Sequence, residues 1–590
     1  MTAPDGISGD QARHPRALAG AVAGVLAAAV AMGAAQFASG LGVPQSSPVL
    51  AVGQAAIDLT PPHVKDFAIS AFGAHDKTVL LGGILVVLAL YSAAVGMFAV
   101  RRLAFGLCGL AIFAFIGLAA ALTRPAATVG YVVPTLVGAA AGAFALAWLA
   151  RAAARLGAPL DALFPFDLHP ELTEFPFGPH PELTDPAQPA DLARPAGPER
   201  PPDPADVAAP TARAGPAYSF TSLPHPDDQA PSRWPARRGF LVSSGAAAAA
   251  AALGTVAGRN LANEHNIAAT RAAIRFPGPA VPAPPLPTGS NLGIPGLSSF
   301  VTPDASFYRV DTALLVPQVD PAKWRLRIHG MVQREVTVTF ADLLRRPLIE
   351  AYVTLACVSD PVGGPYVGNA KWLGASLADL IRQARPLAGA NQLLCTSVDG
   401  FTSGTPLPVV LDGRDALLAV AMNGTALPVV HGFPARIVVP GLYGYVSATK
   451  WVTDIEVTTF AAAHAYWAQR GWSQQAPIKT ESRIDVPAAG ASLPPGRIPV
   501  AGVAWAQHKG IAAVELRLNG GPWHEARLAA VPGIDTWRQW VWEWPASPGN
   551  YLIEARATDV TGYTQSAAQV QTIPNGASGY PSAEVTVRSS

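Results

Sequence analysis

Cys357 closes an apolar run, YVTLAC, and the chain then enters SDPVGGPYVGN, a loop rich in Gly, Pro and Asn. A thiolate at a strand end beside such a loop is a soft ligand for a soft metal, or a nucleophile. Further along, His431, Arg436 and Lys450 surround a second apolar run, ARIVVP, and a glycine-bearing loop. Such donors suit an anionic phosphate, arginine giving a forked contact and lysine a point charge. Plainer readings stand beside these. A lone cysteine after an apolar run is commonly a small core residue, and in an exported domain Cys357 and Cys395 could join in a disulfide. His431 fits a turn, and Arg436 and Lys450 fit a solvated strand. Spacing alone does not choose. With only Cys108, Cys357 and Cys395, the sequence holds no disulfide framework and no multi-cysteine zinc set.

Longer patterns add to this. LAC at 355–357 is followed by N-x-x-W-x-G-x-x-L on Asn369, Trp372, Gly374 and Leu377. MNGTALPVVHGFPARIVVPG then runs from Met422 to Gly441, and Lys450-Trp451 follows. From about Phe307 to Val457 the chain resembles the molybdopterin-binding domain of the sulfite oxidase family. That resemblance implies a molybdenum–molybdopterin cofactor, with Cys357 as the sulfur ligand of the metal and the catalytic residue. It implies that Asp399, His431, Arg436, Ser447 and Lys450 hold the pterin and its phosphate. The expected chemistry is two-electron oxo transfer with a small-molecule oxo donor or acceptor.

The sequence departs from the family where substrate is concerned. Sulfite oxidases carry an arginine near the metal in F-F-x-R-N-H. The aligned FYRVDT here has Val310 at the arginine's position, Arg309 one residue earlier and Thr312 at the histidine's. A tyrosine near the metal in that family aligns with Trp472. Both changes remove groups that would bind or orient sulfite. Fold and cofactor therefore carry over from the resemblance, and substrate does not. Reduction of a sulfoxide, such as oxidised methionine in envelope proteins, is the alternative chemistry. A non-catalytic envelope scaffold is the alternative of another class. The HPGG haem motif of a cytochrome b5 domain is absent from the sequence, so a separate electron carrier is expected, a cytochrome or a quinone-linked protein.

The elements that must position these residues are legible around them. KWRLRIHGMV alternates Trp324, Leu326 and Ile328 as a half-buried strand, VTVTF makes another, and ADLLRRPL begins a short helix. Short strands, short helices and many glycines indicate an α+β domain over 290–475. Residues 476–590 carry a hairpin signature, with Val514, Leu516 and Leu518 alternating before Asn519-Gly520-Gly521. About seven short strands there fit an all-β immunoglobulin-like sandwich. It resembles the dimerisation domain of sulfite oxidases and related nitrate reductases, which makes a homodimer a family-level expectation. Trp537, Trp540, Trp542 and Trp544 read as core, interface or both.

The first half is of another kind. The 590 residues are 50% hydrophobic and 14% charged, against about 25% charged in an average soluble domain. A net charge of +1 gives no reason to expect nucleic acid. Four uncharged stretches, about 17–40, 78–100, 103–123 and 126–150, are long enough to cross a bilayer. Within a module of residues 1–156 they predict an all-α transmembrane unit in contact with membrane lipid. Arg13, Arg16, Arg101, Arg102, Arg151 and Arg155 all fall inside if the N-terminus is cytoplasmic, leaving the 41–77 loop and the 124–125 turn outside.

Residues 157–236, rich in Pro, Ala and Asp, read as an extended cytoplasmic linker with HPELT at 169–173 and again at 180–184. Over 237–260, RRGFL and an alanine-rich run resemble a twin-arginine export signal and also read as a fifth transmembrane helix. Everything after Arg259 is then extracytoplasmic. The expectation is a multi-pass protein of the cytoplasmic membrane with its catalytic domain on the outer side.

Overall fold

The computed structural model describes residues 13–42, 46–61, 64, 76–123, 129–157, 234–264 and 267–589. The expected linker lies outside these residues except at its ends, and so do both HPELT copies and the 124–125 turn. Residues 234–236 of that linker instead begin a helix.

Five long helices dominate the first half: α1 (Arg13–Leu41), α3 (Asp76–Arg101), α4 (Leu103–Leu122), α5 (Val133–Ala154) and α6 (Trp234–Glu264), with a shorter α2 (Pro48–Leu59) after α1. Each of the five is long and apolar enough to cross a membrane. Large apolar side chains point away from the bundle, Leu90, Phe115 and Phe144 each being more than two-thirds exposed. In water such a surface would aggregate; it is compatible with a membrane anchor.

Two details differ from the sequence reading. The fourth span starts at Val133 and not near 126, because Pro134 is tolerated only in a helix's first turn, where no N–H is required of it. The 41–77 stretch, read as a loop, contains α2.

Small residues bring the helices together. A Cβ on Gly24 of α1 would overlap Ser92 of α3, and one on Gly138 of α5 would lie 2.8 Å from the Ala31 carbonyl oxygen. The arginine-led α6 packs on α1 in the same way: a Cβ on Gly254 would lie 2.8 Å from the Gly33 carbonyl, and one on Gly258 2.5 Å from the Gln36 oxygen. Such approach gains dispersion energy between backbones that lipid contact cannot supply. Arg237 and Arg238 are exposed near the start of α6.

Two sheets build the central part. One has the order β3–β4–β7–β8, with β3 (Leu348–Ala356), β4 (Val367–Ser376), β7 (Leu417–Met422) and β8 (Thr425–Ala426), and β9 (Arg436–Val438) also pairs with β7. The other has the order β2–β1–β10–β5–β6, from β1 (Arg325–Gly330), β2 (Val336–Thr339), β5 (Gln392–Ser397), β6 (Thr402–Pro406) and β10 (Val452–Thr458). Strand β1 runs parallel to β10. The alternation holds: Trp324, Leu326 and Ile328 are buried.

The predicted short helix is Phe340–Leu344, closed by a Thr339/Asp342 capping box. Cys395 sits in β5 inside the core and, like Cys357, is free, so the disulfide alternative is not formed.

The last part is β-rich, with two sheets of four and five strands around a core of Val500, Val514, Leu516, Trp540 and Ile553. The predicted hairpin is present, β14 (Ile511–Leu518) pairing with His524–Glu525. Trp540 and Trp544 are core, Trp542 is half-buried, and Trp537 belongs to the central core. That core also contains Ile478, Val503 and Trp505, so it continues across residue 476 without a break.

Gly258→Leu should overpack the α1–α6 seam at a cost of about 1–3 kcal/mol, read as a lower unfolding temperature of the detergent-solubilised chain. Gly245→Leu, where a Cβ meets nothing within 4 Å, should leave it unchanged.

Candidate functional site

Cys357 follows directly on β3, an edge strand whose free side is occupied from far along the chain. The Thr354 amide donates to the Asp535 carbonyl (2.9 Å), the Trp537 amide donates to Thr354 Oγ1 (2.7 Å), and Gln507 Nε2 donates to the Thr354 carbonyl (2.9 Å). These bonds satisfy the edge and fix the strand end. The Cys357 amide donates to the Tyr366 carbonyl at 2.9 Å, and its sulfur lies 2.9 Å from Ser359 Oγ. Burial pushes its thiol up, against the hydrogen bonds from Ser359 and the charge of Lys450.

Opposite Cys357 stands a one-turn helix, Gly444–Ser447. It packs at ordinary contact distance: a Cβ on Gly444 would sit 3.5 Å from the Ala356 carbonyl and 3.6 Å from the Tyr308 hydroxyl.

The cations converge from two loops. His431 ends a 3₁₀ turn and Arg436 opens β9, while Lys450 precedes β10. Between them, Gly432 has φ +110°, and a Cβ on it would lie 3.0 Å from the Arg436 Cβ and 3.1 Å from the Lys450 Cβ. Only glycine allows both the conformation and the crowding.

Arg436 is 3% exposed and lies 4.9 Å from the Trp372 ring centroid. It donates to the carbonyls of His431 (3.2 Å), Ala448 (3.3 Å) and Ile437 (3.5 Å). No carboxylate pairs with it among the described residues, and burial draws its pKa down to about 10. Lys450 Nζ is 2.9 Å from Asp311 Oδ2; burial lowers it to about 8 against the pull of that carboxylate.

His431 is 2% exposed, with Nε2 3.1 Å from the Asp304 carbonyl and Nδ1 buried without a partner among the described residues. Burial first, then Arg436, brings it to about 4, so the ring is neutral at ordinary pH.

The other two sequence candidates sit at the edges. Ser447 is fully buried and donates to the Leu442 and Tyr443 carbonyls. Asp399, in the turn between β5 and β6, accepts from the Phe401 amide at 3.2 Å and is raised chiefly by burial.

Sequence reasoning passed over Tyr308 and Asp311, although FYRVDT contains both. The Tyr308 hydroxyl reaches the short helix opposite Cys357, and burial, then the Cys357 sulfur, holds its phenol well above its ordinary value. Val310, at the arginine's aligned position, is 42% exposed, and Arg309 is tied to Asp311 at 2.8 Å. Trp472 joins a group of rings, 6.0 Å from Tyr445 and 6.2 Å from Trp467.

A buried guanidinium without an acid, a buried imidazole nitrogen without a partner and a thiol nearby form an incomplete set. A group carrying a negative charge for the guanidinium, an N–H for the imidazole nitrogen and a soft metal for the thiol would complete it, so these residues fit a molybdopterin.

Comparison with known proteins agrees. Residues 313–467 match the family model described as the oxidoreductase molybdopterin binding domain. This defines a molybdopterin-binding oxidoreductase. Sulfite oxidase of Gallus gallus is 31% identical over 290 residues, covering 41% of this chain and 62% of that protein. Sulfite oxidase of Arabidopsis thaliana is 27% identical over 337 residues, 47% of this chain and 83% of that protein. The "Uncharacterized oxidoreductase YuiH" of Bacillus subtilis (strain 168) is 31% identical over 153 residues, 26% of this chain and 74% of that protein. The chain belongs to the sulfite oxidase family of molybdopterin oxidoreductases, and it spans 62% of the chicken enzyme and 52% of the rat enzyme. The solved sulfane dehydrogenase SoxCD from Paracoccus pantotrophus covers 50% of this chain and 84% of that one at a TM-score of 0.43 and 21% identity, too loose a likeness to argue from.

Two outcomes follow. Replacing an unpaired buried charge by a similar apolar volume relieves its desolvation, so Arg436→Met should stabilise cofactor-free protein by on the order of 1–4 kcal/mol. It should weaken retention of the pterin at the same time; unfolding temperature and bound pterin fluorescence check both.

His431 has a folded pKa below its unfolded value of about 6.5, so its contribution to stability is full above that pH and is lost as pH falls towards about 4. His431→Gln should flatten the acid limb of the cofactor-free unfolding profile.

Proposed function

We propose that the chain is a membrane-anchored molybdenum–molybdopterin oxidoreductase carrying out two-electron oxo transfer outside the cytoplasmic membrane, as sulfite oxidases do. The observation that carries this is the convergence of a buried, acid-free Arg436 with Lys450 about Gly432, with the Cys357 thiol within the electrostatic reach of Lys450. Bound there, the cofactor would supply a metal able to take or give an oxo group with two electrons. Cys357 holds that metal through sulfur, and Arg436 and Lys450 bind the anionic end of the pterin. Neutral His431 donates from Nε2 to the Asp304 carbonyl, so its free Nδ1 is an acceptor for an N–H of the pterin. Asp399 contributes from the β5–β6 turn, and Ser447 acts through the short helix it braces.

The basic residues flanking the helices support an N-inside arrangement. Helix α2 touches the catalytic half at Leu314, which supports placing the 41–77 stretch and that half on the same, outer side. The division we favour is a transmembrane module (1–156), a linker (157–236), a twin-arginine-type helix (237–260), the molybdopterin domain (290–475) and an immunoglobulin-like domain (476–590) that pairs two copies. Electrons pass to or from a separate carrier.

One observation favours reduction of a neutral sulfoxide over oxidation of sulfite: Val310 replaces the anion-holding arginine, and Arg309 is engaged by Asp311. A substrate screen with artificial electron donors and acceptors separates the two.

Full-length protein purified from a host competent in cofactor synthesis should carry close to one molybdenum per chain by elemental mass spectrometry, and Cys357→Ser should remove both metal and turnover. Folded protein devoid of molybdenum would sink the proposal.

A further inference from the structure

Among the described residues, the catalytic half meets the helix bundle at two places. The first lies on the connecting chain. Helix α6 ends at Glu264, and Ile267 is already buried among Phe307, Trp372 and Phe433 in the catalytic core. Just beyond, Arg271 Nη1 donates to the Ala426 carbonyl at 2.7 Å.

The second point is remote in sequence. A Cβ on Gly53 of α2 would lie 2.9 Å from Leu314 Cδ1, 3.7 Å from Leu81 Cδ2 and 3.8 Å from Ile84 Cδ1. Leu314 is thus wedged between α2 and the start of α3, in a gap that exists because residue 53 lacks a side chain. Behind it, Ala51 of α2 packs on Ala120 and Ala121 of α4, so α2 itself has a backing. Leu50, Gln54, Ala313, Leu315, Pro317 and Asp399 border the same contact.

The segment held there also builds the candidate site. Phe307 lies edge-on to His431 with centroids 5.5 Å apart, Tyr308 reaches the helix facing Cys357, and Asp311 carries the carboxylate on Lys450. Leu314 follows Asp311 by three residues. Any shift of Leu314 is therefore passed along a short piece of chain to the partner of a cofactor-binding lysine.

We propose that α2 is a docking element and that the membrane module positions the cofactor site through it, Leu314 being the positioning residue. A body held at one point can swing about it; held at two, it can only turn about the line between them. The module accordingly does more than anchor. It sets the geometry of residues 307–317, at a site where displacement by an ångström is costly. This inference rests on the proposed placement of α2 and the catalytic half on the same side of the membrane.

The test uses the full-length protein in native membranes, with Cys108→Ala removing the exposed thiol. Gly53→Cys with Leu314→Cys should form an intramolecular cross-link on mild oxidation or with a short bis-maleimide. Gly53→Cys with Gly520→Cys, the latter on the β14 hairpin turn, should not. Each single variant is also labelled with a membrane-impermeant maleimide. Labelling from the same side without cross-linking overturns the joint and leaves the topology standing. Labelling from opposite sides overturns the topology, and the joint with it.

A second readout tests positioning. Leu314→Asp should lower molybdenum retained per chain by roughly threefold or more, whereas Leu387→Asp, at an exposed leucine elsewhere, should not. Equal retention in the two variants would overturn the positioning role even where the cross-link forms.

Discussion

A positive charge buried without a negative one is the constraint around which the catalytic half is organised. Arg436 sits between an indole face and three carbonyl oxygens, none of which neutralises it. Its neighbours conform to that charge. His431 is held neutral, Lys450 shares the Asp311 carboxylate with Arg309, and Gly432 gives up its side chain so that all three can meet. Such an arrangement is poor for stability taken alone and good for capturing an anion, because the desolvation has been met before the ligand arrives.

The parts of this site visible in the sequence were those encoded locally. A cysteine closing an apolar run and an alternation of Trp324, Leu326 and Ile328 are readable within a few residues, and each lies where that reading put it. Contacts between distant residues were not readable. Asp311 and Lys450 are 139 positions apart, and no periodicity links them. Val310 drew attention as a replaced arginine, yet Tyr308 two residues earlier is the one whose hydroxyl reaches the short helix opposite the cysteine. Residues 307–311 lie in no strand, so no alternation of faces marks which of them points there.

The helical half shows the same division. Five spans were legible because length and absence of charge suffice to mark them. Helix α2 was missed because twelve residues without a strong polar face look like any apolar loop, and its role comes from what it touches. Small residues also changed meaning once seen in place. Gly254 and Gly258 looked like part of an export signal's alanine-rich run, and they prove to be the face on which α6 meets α1. An export signal and a structural helix can share one stretch because their requirements fall on different residues: exposed arginines at one end, a smooth face further along.

The hydrogen bonds on the free edge of β3 carry a consequence in time. Synthesis runs from the N-terminus, and the strand that ends at Cys357 is made long before Gln507, Asp535 and Trp537, the residues that cover its edge. Until those emerge, the strand has donors and acceptors facing water or any other strand that comes near. The chain thus has an order of completion written into it: the frame of Cys357 is finished only when residues 507–537, some way further along, have been made. A ribosome that stops short of that segment releases a site with its cysteine present and its frame open.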